Sequence, residues 1–192
     1  MTEHCVDNGK DRSIGAKWER NFCKLAAKHG LTFTPLQIGR TSSAVAYSGP
    51  RYRPFTLPDI TVWNHPGQHH EIKHKDPTPT GWFGLEVYRF NALIEFAATT
   101  QQGVLYTIHN HALSGGRQSE INDITHWFTA DVKWLEGQES HLQPDGTSWI
   151  NGVKRTGIPI LYWDIDKWMP LLDYWAFVAQ CCEPTEQCVA EF

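Results

Sequence analysis

Apolar positions along the chain fall into runs of distinct period. Between Ser13 and Gly30, Trp18, Phe22 and Leu25 recur at helical spacing. This predicts an amphipathic helix with Ser13 as N-cap and Gly30 closing its C-terminus. Residues 31–38, LTFTPLQI, read as a strand that Pro35 bends or confines to a sheet edge. Residues 39–56 are small and polar and predict a long loop, a kind of segment that is often functional. Residues 57–64, LPDITVWN, predict a strand with Ile60 and Val62 on one face and Asp59, Thr61 and Trp63 on the other. The turn signal His65-Pro66-Gly67 then leads into residues 68–76, QHHEIKHKD, as the second arm of a hairpin. That arm is an odd strand, because Ile72 is its one apolar residue.

Residues 76–84 predict a loop, and residues 85–102 a helix with Val87, Phe90, Ile94 and Ala97 as its apolar stripe and Gly103 at its end. Residues 104–111, VLYTIHNH, predict a strand reached by a parallel crossover. Farther on, 119–137 read as a helix capped by Ser119, 141–157 as turn-rich, 158–166 as a strand, and 167–180 as a helix with an early Pro170. The order helix, strand, hairpin, helix, strand predicts an α/β (α+β) core. A mixed central sheet is flanked by helices, with a C-terminal helical and strand extension. Residues 1–12 are expected to be a flexible N-terminus, 13–113 the core, and 114–192 an extension packed on it within the same domain.

Composition narrows the class. With 192 residues, 41% of them hydrophobic, the chain can bury a substantial core, and its nine Trp are expected to contribute with their N–H groups paired. A net charge of −4 excludes a generally basic coat, though a local basic groove is compatible with it. The five Cys form no paired motif, which fits a reducing compartment. No run reaches the ~18 apolar residues of a membrane span. The expected location is the cytoplasm, with no membrane partner.

The polar strand suggests chemistry. Residues two apart on a strand face the same way, so Glu71 and Lys73 share a face, flanked by His69 and Lys75, while Ile72 points into the core. If the hairpin sets Asp59 beside Glu71–Lys73, two carboxylates and an ammonium converge. Two carboxylates suit Mg²⁺, which takes oxygen ligands and keeps several waters, and the carbonyl of Ile72 is a further candidate ligand. A nearby Lys can orient water and offset charge building on a phosphate. The alternative is a solvated strand face with a cross-strand ion pair.

Pro58-Asp59 followed by Glu71-x-Lys73 resembles the signature of the PD-(D/E)XK nucleases. Glu19, in GAKWERNF, is similar to the active-site Glu on the first helix of archaeal-type Holliday junction resolvases within that superfamily. The resemblance covers about residues 13–111. It implies a restriction-endonuclease-like αβββαβ core and Mg²⁺ or Mn²⁺ held by Asp59 and Glu71. It also implies that Lys73 positions the attacking water and that Glu19 assists. The implied function is a metal-dependent deoxyribonuclease, structure-directed and acting on branched or junction DNA as a homodimer. A restriction, repair or mobile-element nuclease is the near alternative; a non-catalytic nucleic-acid-binding module and a zinc hydrolase are the others. The chain departs from the archaeal resolvases in being longer, acidic, and rich in Trp and His. Arg40, Arg51 and Arg53 on the long loop, with Lys75, are candidates to hold DNA phosphates. His69, His109 and His111 form a candidate zinc set, set against His109 and His111 merely lying at a strand end beside the cleft. His70 and His74 are expected to be partly buried on the Ile72 face.

Overall fold

The computed structural model describes residues 9–36, 45–48, 53–63, 68–114, 123–150 and 153–181. Its centre is a six-stranded mixed sheet, in the order β1 (Phe33–Pro35), β4 (Ile60–Val62), β5 (Gln68–Lys75), β7 (Gly103–Asn110), β8 (Trp127–Asp131) and β11 (Met169–Pro170). β5 and β7 run parallel; every other neighbouring pair is antiparallel. Three further strands, β6 (Trp82–Glu86), β10 (Val153–Asp164) and β9 (His141–Ile150), form a separate antiparallel sheet. β2 (Val45–Ser48) and β3 (Arg53–Thr56) pair as a hairpin. The helices are α1 (Gly9–Lys28), α2 (Val87–Thr100), α3 (Val132–Glu136) and α4 (Leu171–Cys181). Read as α1, β1, β4, β5, α2 and β7, the chain has the expected αβββαβ order, and the fold is mixed α/β with helices flanking a mixed sheet.

Each face of the large sheet has its own core. On one, Trp18, Phe22, Leu25 and Ala26 of α1 and Leu171 and Trp175 of α4 pack against Ile60, Val62, Ile72 and Trp127. On the other, Phe90, Leu93, Phe96 and Ala97 of α2 join Val104, Tyr106 and Ile108 of β7, with Phe83, Leu85 and Trp163 of the small sheet. α1 ends as expected at Gly30, whose φ of +72° suits glycine. Leu31 N–H donates to Ala26 O and Gly30 N–H to Ala27 O, the two bonds of a Schellman closure.

Several expectations are corrected. α1 already includes Gly9–Arg12, so Ser13 lies within the helix and is not its N-cap. The long loop over 39–56 contains the β2–β3 hairpin. The segment 76–84 gives its last residues to β6, so α2 starts at Val87. α2 is stopped by Gln101 in the left-handed region, not by Gly103, which opens β7. The helix expected over 119–137 is instead a 3-10 turn, the strand β8 and the short α3, which Asp131 caps by accepting from Lys133 and Trp134 N–H. Pairing with β7 and complete burial of Trp127 hold β8 extended. The turn-rich 141–157 forms most of the β9–β10 hairpin, and Pro170 belongs to β11, just before α4. Trp163 Nε1 donates to Leu135 O, but the buried indole nitrogens of Trp127, Trp168 and Trp175 have no hydrogen-bond partner among the described residues.

Phe22 is fully buried where α1, β5, β8 and α4 meet, its ring against His70, Trp127 and Trp175. Phe22→Ala is expected to remove about 3–5 kcal/mol of stability, read by urea unfolding. A loss below ~1 kcal/mol would mean that α1 does not dock as described.

Candidate active site

β5 is buried over most of its length, so its polar residues are interior groups. Its two faces do different things. His70, Ile72 and His74 face α1. His70 lies against Phe22 and shares a hydrogen bond with Thr107 Oγ1 at 2.8 Å; Thr107 in turn bonds Thr129. Trp18 stacks on both His74 and His109, at centroid distances of 3.9 and 4.2 Å. Burial depresses the pKa of His70 and His109 to about 3 and that of His74 to about 4. These imidazoles act as neutral aromatic core.

The opposite face carries the charges. Asp59 directly precedes β4, its N–H donating to His70 O. Its Oδ2 accepts the Ile72 N–H at 2.8 Å, between Glu71 and Lys73. Glu71 is fully buried; Lys73 Nζ donates to its Oε1 at 2.5 Å, Arg89 Nε to the same oxygen at 2.8 Å, and Arg89 Nη2 to its Oε2. Arg89 Nη2 also reaches Leu57 O at 3.0 Å, tying α2 to the segment that carries Asp59. Lys75 turns inward, donating to Gly84 O at 2.6 Å and lying 3.9 Å from Glu86, whose Oε1 accepts from Ser148 Oγ.

The neighbouring carboxylates titrate in opposite directions. Burial and then the Glu71 charge push Asp59 up to about 7. Burial also raises Glu71, but Arg89 and Lys73 outweigh it and hold Glu71 down to about 2. Burial tends to lower Lys73, yet Glu71 and Asp59 raise it. Glu19, half-buried on α1, adds a smaller upward push to Asp59 and so lies within its field.

Asp59, Glu71 and Lys73 are thus brought together, and Ile72 links them through its N–H. Lys75 sits on the same face of β5. Arg40 and Arg51 lie outside the described residues, and Arg53 begins β3. The histidine set does not converge: His69 packs on Phe96 of α2, His109 on Trp18 of α1 across the sheet, and His111 lies in a 3-10 turn beyond β7 beside Asp76. His109 is fully buried, not at a strand end facing the cleft. Among the described residues no group of three or more His, Cys, Asp or Glu is arranged to hold a metal ion. Asp59 and Glu71 nonetheless fit Mg²⁺ in donor chemistry, since that ion is often bound by one or two carboxylates plus waters. The pressure of Glu71 on Asp59 is what a cation between them relieves. Oε1 of Glu71 accepts two hydrogen bonds and Oε2 one, so an ion bound there would use the remaining position on Oε2 or displace Lys73 or Arg89. From sequence, Arg89 could equally face the cleft, with Glu86 and Tyr88, or lie on a solvated helix face; it is buried on the side of α2 that also carries Leu93 and Phe96.

No protein-family model and no curated protein sequence matches the chain. Among solved structures it is similar to Hjc of Archaeoglobus fulgidus, a Holliday junction resolvase from an archaeal hyperthermophile. The identity is 13%, the match covers 85% of this chain and 96% of that one, and the TM-score is 0.49. No helix among the described residues is long and apolar enough to cross a membrane.

Two variants test these electrostatics. Arg89→Met leaves buried Glu71 with Lys73 alone and should remove about 3–5 kcal/mol of stability, measured by chemical unfolding. The pH dependence follows from the signs. His70, His74 and His109 have depressed folded pKa values, so the unfolded chain binds more protons and stability falls as pH drops from about 6.5 toward 4. Asp59 opposes this: its raised value makes the folded state hold the extra proton, so its contribution is lost as pH rises from about 4 to 7. Asp59→Asn should therefore raise Tm at pH 8 by several degrees, roughly the shift of a 1–2 kcal/mol gain, and steepen the fall in Tm on acidification. An unchanged slope would show that Asp59 does not titrate in this range.

Proposed function

We propose that this chain is a metal-dependent deoxyribonuclease of the PD-(D/E)XK kind that hydrolyses DNA phosphodiesters, with branched or four-way junction DNA as its substrate. The observation that carries the reading is the hairpin register: Pro58-Asp59 sits against Glu71-x-Lys73, with the Asp59 carboxylate on the Ile72 N–H. Mg²⁺ or Mn²⁺ would be held by Asp59 and Glu71, with the Ile72 carbonyl and Glu19 as further ligands. When bound it would polarise the phosphoryl oxygen and make water a stronger nucleophile.

The chain's own groups have separate tasks. The Lys73 side chain is partly exposed, at 31%, beside the buried Glu71 carboxylate. From there it orients water for in-line attack and offsets charge on the phosphate. The P–O3′ bond breaks and the 3′ oxygen leaves with a proton, giving 5′-phosphate and 3′-hydroxyl ends. Arg89 is a positioning residue that holds Glu71 and the Leu57 segment in register. Arg40, Arg51 and Arg53 are the proposed phosphate contacts; Lys75, expected with them, has its ammonium on Gly84 O and would have to leave it to reach a phosphate. Residues 13–113 are the proposed catalytic core. The strand pairs β7–β8 and β6–β10 support placing 114–192 in the same domain. A homodimer would supply the two symmetric cuts that a junction requires. The ion pairs that occupy both oxygens of Glu71 favour one second reading, a nucleic-acid-binding module without catalysis.

Incubating the protein with supercoiled, linear, single-stranded and four-way junction DNA separates the two. Cleavage in Mg²⁺ or Mn²⁺, absent in EDTA and reduced at least about 100-fold in Asp59→Asn and Lys73→Ala, is the expected result. DNA binding with no cleavage under any of these conditions would establish the binding module instead.

A further inference from the structure

The small sheet has one face committed to the core through Phe83, Leu85 and Trp163. Alternation therefore turns Trp82, Gly84 and Glu86 of β6, Ile160 and Tyr162 of β10, and His141 and Gln143 of β9 to the other face, where Gly84, Glu86 and Ile160 are buried and Trp82, Tyr162, His141 and Gln143 keep some exposure. The outer face of an antiparallel sheet is ordinarily polar. This one instead carries Trp82 and Tyr162 beside a cavity of about 330 Å³, lined by Thr78, Thr80, Trp82, His141, Gln143 and Tyr162.

A glycine lies beneath one of the lining rings. Gly84 pairs with Tyr162, and Tyr162 with His141, in one row across the three strands. A Cβ on Gly84 would lie 2.6 and 2.8 Å from ring atoms of Tyr162, so only glycine lets that ring lie against the strand. The Gly84 carbonyl is held by Lys75 Nζ at 2.6 Å and Tyr106 Oη at 2.8 Å. Lys75 lies two residues beyond Lys73 on the same face of β5, so its bond to Gly84 ties β6, the strand that carries the lining residue Trp82, to the strand of the candidate active site.

We propose that this face binds one unpaired nucleobase of a nucleic-acid strand whose backbone lies at the candidate active site. Two aromatic side chains supply a stacking surface that accepts any base, because every base has a π-face. Thr78, Thr80, Gln143 and His141 offer donors and acceptors to a base edge. None of the lining residues carries a carboxylate, an ammonium or a guanidinium, which suits a neutral planar ring and not a phosphate. A base inside a duplex cannot reach such a site; an unstacked base at a branch or in a single strand can. The inference rests on the nuclease reading for the placement of the backbone and gives that reading a means of choosing branched over continuous duplex DNA.

The test measures binding, not cleavage. Fluorescence anisotropy of the full chain in EDTA would compare a continuous duplex, the same duplex with one unpaired thymine, a single strand, and thymidine monophosphate as competitor. The wild-type protein is expected to bind the unpaired-base and single-strand probes about tenfold more tightly than the continuous duplex. Tyr162→Ala should abolish that preference. His141→Ala with Gln143→Ala, both at exposed positions, should reduce it without disturbing the circular dichroism spectrum. Gly84→Ala, which thrusts a methyl group at the Tyr162 ring, should also weaken it. Equal affinity for paired and unpaired probes would overturn the proposal, as would a preference that survives Tyr162→Ala in a folded protein. Tight binding of thymidine monophosphate with no strand preference would overturn it in favour of a small-molecule site. Absence of cleavage with the unpaired-base preference intact would count against the nuclease reading alone.

Discussion

A fully buried glutamate in the middle of a sheet is the constraint around which this molecule is arranged. An isolated ionised carboxylate at that depth would cost far more than a domain can spare. Glu71 is tolerated because Lys73, on its own strand, and Arg89, on the helix that crosses over to β7, approach its two oxygens together. Arg89 also holds the Leu57 carbonyl, so one guanidinium fixes α2, the strand β5 and the approach to Asp59. Replacing such a cluster with apolar residues is often neutral or stabilising in other proteins. Its energetic value is therefore no reason to have it, whereas a chemical task would be.

The same strand solves a second problem on its other face. With Ile72 as its one apolar residue, β5 looks too polar to occupy the sheet centre, yet three of its neighbouring imidazoles do the work of aromatic hydrocarbon. His74 and, from β7, His109 stack on Trp18, His70 lies tilted against Phe22, and burial keeps all three neutral. Histidine suits the place better than phenylalanine where a polar ladder runs through the sheet, because its nitrogen can meet Thr107 and, beyond it, Thr129. The strand is thus divided lengthwise into a neutral aromatic face and a charged one.

Much of this was legible in the sequence where the signal is local. The Trp18–Phe22–Leu25 spacing, the Gly30 closure, the edge placement of the Pro35 strand and the alternation around Ile72 all depend on residues close along the chain. Alternation alone also brought Asp59 to Glu71 and Lys73 once a hairpin was assumed. The failures depend on distant partners. Trp127, Ala130 and Leu135 fall at spacings that imitate a helix, but β8 is buried on both faces and takes its conformation from β7. β9 is an edge strand with Pro144, Gly146 and many exposed polar residues, so its composition is that of a turn while its pairing with β10 makes it a strand. β6 exists because β10, far downstream, pairs with it. For Arg89 the sequence left a cleft-facing position and a solvated helix face equally open, since nothing near it in sequence announces the buried carboxylate that draws it inward.

These distant partnerships meet at one place. β6 lies between the polar strand β5 and helix α2, and its pairing with β10 brings an outward aromatic face next to Lys75 and Gly84. A core of only α1, β1, β4, β5, α2 and β7 would hold Asp59, Glu71 and Lys73 in register but would lack the surface that carries Trp82 and Tyr162. The residues after 140 supply Tyr162, His141 and Gln143 to that surface, Tyr162 from a strand whose inner face serves the core through Trp163 and the other two from the edge strand paired with it. Sheet alternation makes this possible without a separate module: the residues that stabilise the small sheet and those that line its cavity alternate along the same strands. Substitutions on the outer face can therefore alter what the cavity accepts while Phe83, Leu85 and Trp163 keep the sheet in place.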